Sequence, residues 1–431
     1  MNQMHKQSMY AKDYIIRCAT LGCRLNQSET ELIKEQLRAA GFTVSDHENP
    51  NVYIVNTCTV TQRGERSSRK MVYRIMQKYP EADIIVTGCY AHTNPEVFTQ
   101  IPAVKLIINN FEKDVLYEKI ANYYHITIPP VHTVRMTSVA HRSRPFIKIQ
   151  DGCNNECSFC KVRSARGYSR SINSKEILEQ AGVLYKKGYP EIGLTGVNIG
   201  DYYDGKLPLA GLLALLINML PKAQFRLSSI EPKSITTDLI KILSHTSICK
   251  HLHIPLQSGS DSILAAMNRK YTTKEYRKIV EDIRTSIPDI SIGADLIVGF
   301  PGETEDIFSE TYDFVKALNI QHIHVFSYSS RPGFSTVIEK NNVPENSKKK
   351  RSSLLYSMVQ KSNYIFRRQF EGRILSVVIE NKKCRIAENM RGMSSYYFPV
   401  TISSYKPELL GKKIKVHITE VTPASTYGTL V

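Results

Sequence analysis

Short apolar, β-branched runs alternate with stretches of helical periodicity along most of this chain. IIRCATL, VYIVN and DIIVTG each read as a strand. Helical patterns follow two of them: SETELIKEQLRAAG, ending at Gly41, and RGERSSRKMVYRIMQKYP, stopped by Pro80. Strand and helix in alternation predict an open parallel sheet over residues 14–126, closed by AVKLIINNFEK and a helix near EKIANYYH. TIPPVHTVRMTSVAHRSRP carries prolines and hydroxyl residues with little periodicity, and predicts a linker over residues 127–145. From Phe146 the runs FIKIQ, EIGLTG, QFRLSSI, HLHIPLQ, ISIGADLIVG and HIHVFSY are separated by helical stretches. They predict a parallel sheet curled into a partial barrel over residues 146–369, with chemistry at the carboxyl ends of its strands. GRILSVVIE, YYFPVTISS and KIKVHITEV then switch to strand and turn patterns, predicting a small antiparallel barrel over residues 370–431. The fold class is α/β with a terminal β-barrel.

Length and charge narrow the picture. A chain of 431 residues exceeds one ordinary domain. Its N-terminus, MNQMHKQSMYAKDY, is polar and reads as no secretory leader. The longest apolar stretch, LAGLLALLINML, is too short to span a bilayer. A cytoplasmic chain is expected, in which nine cysteines serve metal binding better than disulfides. The net charge of +17 and pI near 9.3 suit a polyanionic partner. Basic residues gather at Arg63, Arg66, Arg69, Lys70, Arg74 and Lys78, and around Arg163, Arg166 and Arg170. Another run, Lys348-Lys349-Lys350-Arg351, leads into a helix ending Arg367-Arg368. Such runs are usually solvated faces, but several beside cysteine loops favour nucleic acid. No segment joins a strong basic face to an exposed apolar one, so a membrane surface is not expected.

Cysteine spacing carries the chemistry. Cys153, Cys157 and Cys160 follow the strand FIKIQ, which breaks at Asp151-Gly152. Thiolates suit iron–sulfur clusters or zinc, both of which normally take four ligands. A local trio leaves one position for a distant ligand or a substrate; a zinc loop borrowing a histidine is the alternative. Cys23, Cys58 and Cys89 are dispersed, each just past an apolar run. In an open parallel sheet such positions meet at one crevice, although buried thiols also pack as small hydrophobes. Cys18, Cys249 and Cys384 read as packing residues. His251 and His253 alternate on one strand and so face opposite sides, which argues against a metal shared by that pair.

The blocks TLGCRLNQSETE, VNTCTVT, TGCYA, QDGCNNECSFC, RSARGYSRS, LTGVNIG, SSIEP, HLHIPLQSGS, GADLIVGFPGET and HVFSYSSRPG occur in this order. Together they resemble the methylthiotransferase family of radical S-adenosylmethionine enzymes, in particular the branch acting on threonylcarbamoyladenosine at tRNA position 37. Two departures stand out: Lys161-Val162-Arg163 where the family usually has two apolar residues and a proline, and His92 where glutamine is common. The resemblance implies two [4Fe-4S] clusters, on Cys153, Cys157 and Cys160 and on Cys23, Cys58 and Cys89. The first would bind and reductively cleave S-adenosyl-L-methionine, giving a radical that removes the adenine C2 hydrogen. The second would hold the inserted sulfur, and a second S-adenosylmethionine would supply the methyl group. Positioned acids and bases give roughly 10²–10⁴-fold and leave such a C–H bond untouched, so a radical cofactor is required.

Further expectations follow from the same resemblance. Gly196 and Asn198 lie where related enzymes receive the cofactor's amino acid end. Ser229, Glu231, Gln257, Ser258 and Asp295 sit at strand ends facing the same mouth, though Ser and Asp also cap helices there. The terminal barrel is similar to the RNA-binding TRAM domain; Tyr396, Tyr397 and Phe398 could stack on bases or fill its core. The implied partners are tRNA, at the anticodon loop of ANN-decoding species, an electron donor and a sulfur donor. Rival substrates are isopentenyladenosine-37 and a ribosomal protein aspartate; a non-enzymatic iron–sulfur RNA sensor is the rival of another class.

Overall fold

The computed structural model describes residues 10–132, 134–136, 142–330, 342–381 and 389–431. Cys384 and the end of HVFSYSSRPG lie outside these residues. The chain forms two compact units, Met1–Ser138 with Lys161–Tyr168, and Val139–Cys160 with Ser169–Val431.

The first unit is built on a parallel sheet. Its strands are β1 (Ile15–Thr20), β2 (Thr43–Val44), β3 (Val52–Thr57), β4 (Asp83–Gly88) and β5 (Val104–Ile107), in the order β2-β1-β3-β4-β5. Helix α1 (Arg24–Ala39) follows β1, and α2 (Gln62–Lys78) follows β3. Ile33 and Leu37 recur four residues apart, so one face of α1 packs with Ile16, Ile54 and Ile85 of the sheet. In α2, Thr61 caps the first turn by accepting from Gly64 N. Ser68, Val72 and Ile75 face inward, while Arg63, Arg66, Lys70, Arg74 and Lys78 are exposed. At 3.6 residues per turn these five cations fall within an arc of about 120°.

The second unit holds six parallel strands: β6 (Phe146–Lys148), β9 (Glu191–Thr195), β10 (Gln224–Leu227), β11 (His251–His253), β12 (Ser291–Val298) and β13 (His322–Ser327). β7 (Gln150–Asp151) and β8 (Arg170–Ser171) form a short antiparallel pair between β6 and β9 in sequence. The groups β10-β9-β6 and β11-β12-β13 are joined by bridges from Phe225 to Ile248 and from Ser229 to His253. The expected partial barrel is present. Along β12, Ile292, Ala294, Leu296 and Val298 are buried on one face. Gly293 and Asp295 lie on the other, turned to the barrel interior.

A closed five-stranded barrel ends the chain: β14 (Ile374–Ile379), β15 (Met390–Ser394), β16 (Pro399–Ile402), β17 (Lys413–Val421) and β18 (Thr426–Leu430), in the order β14-β15-β16-β18-β17. One pair departs from the expected antiparallel pattern, because β16 and β18 run parallel. Phe398 is fully buried in the core with Phe370, Val377 and Val400. Tyr397 stacks on His251 at 4.2 Å and lies under the Arg226 guanidinium. Tyr396 packs against Phe370. Of the two roles open to these rings, stacking on bases or filling the core, the packing supports the second: they fill and anchor the barrel.

Several basic residues also belong to the interior. Arg166 pairs with Glu29, Arg351 with Glu303 and Glu305, and Lys348 with Glu345. Arg367 donates to the Ser425 and Pro423 carbonyls and to Thr426. All four are buried and so are not available to a polyanion.

Candidate cofactor sites

In the first unit, Cys23, Cys58 and Cys89 follow β1, β3 and β4, three adjacent parallel strands. Cys23 precedes α1, and Cys89 opens the short helix Cys89–Thr93. A Cβ added at Gly22, whose φ is +93°, would lie 2.6 Å from Cys58 Sγ, so the β1–α1 turn rests directly on that thiol. Asn26 fixes the same turn, its Nδ2 donating to the Leu21 and Thr57 carbonyls. The three thiols at these strand ends are close enough to influence one another's charge. Burial pushes the Cys58 thiol up to about 11, with the neighbouring Cys23 and Cys89 adding to the effect. Burial also raises Cys23, and the Arg166 guanidinium opposes it.

That guanidinium is held by a network that sequence reading missed. Arg166 donates to Glu29 at 2.8 and 3.0 Å and to Asn26 Oδ1, and Lys113 reaches Glu29 at 2.6 Å. The helix carrying Arg166 (Val162–Arg166) is tied by the Ala165 carbonyl, which accepts from Asn110. Lys161, one of the sequence departures, pairs with Glu65 of α2 at 3.5 Å. His92, the other, meets Phe111 edge-on.

In the second unit, Cys153, Cys157 and Cys160 occupy the loop after β7, each partly exposed. Cys160 N donates to the Cys157 carbonyl, and Asn155 N reaches Cys153 Sγ at 3.4 Å. Arg269 donates to Cys157 Sγ at 3.2 Å and also pairs with Glu231. Burial raises the Cys157 thiol while Arg269 lowers it, and burial lifts Cys153 to about 11. Gln150 joins two loops. Its Nε2 donates to the Gly152 carbonyl and Ser169 Oγ, while its Oε1 accepts from Val197 N and Asn198 N. Gly196 packs directly on Gln150.

The other expected positions divide. Asn198 Oδ1 accepts from Gly200 N and Glu231 N, which brings Asn198 and Glu231 together; its Nδ2 is enclosed without a hydrogen-bond partner among the described residues. Ser229 bridges to His253. Gln257 adopts φ 69° and bridges to Leu296. Ser258 is buried: its hydroxyl meets Thr311 and accepts from Ser260 N. Asp295 pairs with His253 and His324. In GFPGETED, Thr304 caps the helix Glu305–Leu318 by accepting from Ile307 N. Arg269 and Gln150 escaped sequence reading because their roles depend on loops far apart along the chain.

The donor sets fit iron–sulfur clusters. Each is three soft thiols with a nearby guanidinium, Arg166 or Arg269, that favours thiolate.

The chain matches the Radical SAM superfamily over residues 147–315 and an uncharacterized protein family, UPF0004, over residues 16–109. It is 36% identical over 413 residues to the threonylcarbamoyladenosine tRNA methylthiotransferase MtaB of Aquifex aeolicus, spanning 93% of this chain and 98% of that protein. Its counterpart in Bacillus subtilis is 35% identical over 93% and 92% of the two chains. Among solved structures, the radical S-adenosylmethionine methyltransferase TsrM of Kitasatospora setae shares the fold, with a TM-score of 0.55 at 13% identity over 73% of each chain.

Proposed function

This chain belongs to the radical S-adenosylmethionine methylthiotransferases, and we propose that it converts threonylcarbamoyladenosine-37 of tRNA to its 2-methylthio derivative. One observation carries the reading beyond the family. Two complete three-thiol sets stand at strand ends, one in each compact unit, in a chain whose similarity to threonylcarbamoyladenosine methylthiotransferases runs nearly end to end. A sensor needs one redox cluster and gives no reason for two incomplete ligand sets.

Cys153, Cys157 and Cys160 would hold one [4Fe-4S] cluster, and Cys23, Cys58 and Cys89 the other. When bound, the clusters and S-adenosylmethionine supply the radical and sulfur chemistry that side chains lack. Arg269 orients the Cys157 sulfur and opposes the burial that raises its thiol, and Gln150 fixes the thiol loop against the Gly196–Asn198 turn. Asn198 would offer its amide to the cofactor's amino acid end, with Glu231, held by Arg269, beside it. The substrate is tRNA in the cytoplasm, with an external electron donor and sulfur donor. Mass spectrometry of tRNA nucleosides from a strain lacking the gene tests this. Loss of 2-methylthio-threonylcarbamoyladenosine, restored by the gene, is expected; loss of the isopentenyl derivative, or intact tRNA with an altered ribosomal protein, overturns the substrate.

A further inference from the structure

Three adjacent strands bring together side chains that the proposed reaction does not use as a set. Asp295 stands on β12 directly beside His324 of β13 in register. His253 of β11 pairs with Gly293, two residues before Asp295 and on the same face. Gly293 makes this arrangement possible, because a Cβ there would lie 2.9 Å from His253 Nδ1. With that space open, the imidazole lies across β12. His253 Nε2 reaches Asp295 Oδ1 at 3.1 Å, and His324 Nδ1 reaches the same oxygen at 3.2 Å. The two rings are near-parallel, 28° apart. All three ligand atoms lie within 4.8 Å of one another.

We propose that His253, Asp295 and His324 form a binding site for a single borderline divalent transition-metal ion of the zinc type, separate from either thiol set. Two imidazoles and a carboxylate are the ligand types such ions take. With metal–ligand bonds of about 2.0–2.1 Å, tetrahedral geometry puts neighbouring donor atoms about 3.3 Å apart. The two measured edges match that spacing. Among the described residues no lysine or arginine pairs with Asp295; its carboxylate meets the two imidazoles, which a bound cation would take over as co-ligands. The ligands sit on β-strands and need no loop rearrangement. His324 is the most exposed of the three, so solvent could supply a fourth ligand. This is why His251 and His253 cannot share an ion while His253 still contributes to one: its partners come from the next two strands.

The test uses the cluster-loaded protein, dialysed anaerobically against buffered Zn²⁺, with zinc and iron counted on the same samples. Wild type should hold one zinc per chain in addition to its iron, with nitrogen and oxygen neighbours by X-ray absorption. His324→Ala, on the barrel's edge strand, should keep its iron and lose the zinc. Outer-shell changes alone cost roughly 10–100-fold in affinity, so removal of a ligand should weaken binding by more than about 100-fold. His253→Gln should repeat the loss. No zinc in the wild type, equal zinc in both variants, or sulfur neighbours around the ion would overturn the proposal.

Discussion

Arg226 shows what a single buried charge can organise. Its Nε and Nη2 meet Glu191 at 2.6 and 3.0 Å, Nη2 also donates to the Ser394 carbonyl, and Tyr397 covers the guanidinium. Glu191 and Arg226 are both about 1% exposed. Burial opposes ionisation of Glu191, and Arg226 more than offsets it, holding that carboxyl below its usual range. Without Arg226, the buried Glu191 carboxylate keeps Arg144 as its one cationic partner among the described residues, farther off at 3.7 Å, and is left undercompensated. Arg226→Met should therefore cost about 3–5 kcal/mol, read as a lower urea midpoint for the second unit. Adding Glu191→Met should recover most of that loss, since an apolar pair of similar volume is often neutral. A double variant as weak as the single one would show that the link to Ser394 and Tyr397, and not the stranded carboxylate, carries the stability. None of this is legible in QFRLSSI or EIGLTG. Those runs show strands, and only the parallel register places Glu191 opposite Gln224, with Arg226 two residues further along on the same face.

The elements themselves are far more legible than their partners. Strands rich in Ile and Val announce themselves locally, and each cysteine of the first trio can be placed at a strand end because its strand can. Basic runs mislead where carboxylates from distant segments claim them: Glu29 takes Arg166, and Glu303 takes Arg351. The periodicity of an amphipathic helix records which face is buried, but not that a buried face includes an arginine with a partner. Exposed cations remain on α2 and on β17. On β17, Lys413 and Lys415 are exposed while Val416 and Ile418 are fully buried, as strand alternation requires. Changing both lysines to glutamate should weaken tRNA binding and reduce its salt dependence. Every phosphate that is no longer neutralised takes about 0.7 log units off the slope for single-stranded RNA. Fluorescence titrations at several salt concentrations measure both quantities. Unchanged affinity and slope would move the RNA surface to the basic stripe of α2.

At the scale of the whole molecule, each compact unit carries its own thiol set, and the local supports of the two sets share no residue. Asn26, Glu29 and Arg166 serve the first; Gln150, Arg269 and Glu231 serve the second. Metal binding to a preorganised ligand set is a local event when the scaffold around it folds without help from the other set. Cys153→Ala should then abolish 5′-deoxyadenosine release from S-adenosylmethionine, whereas Cys58→Ala should keep that release and lose sulfur insertion. Each variant should retain about half the iron, as expected for one four-iron cluster per set. Iron and sulfide counts after anaerobic reconstitution, beside a 5′-deoxyadenosine assay, separate the cases. If either single change empties both sites, the sets depend on each other for assembly, and their independence is lost even though the chemistry assigned to each could stand. If Cys58→Ala instead stops 5′-deoxyadenosine release with the second unit's iron intact, the division of labour between the two sets is wrong.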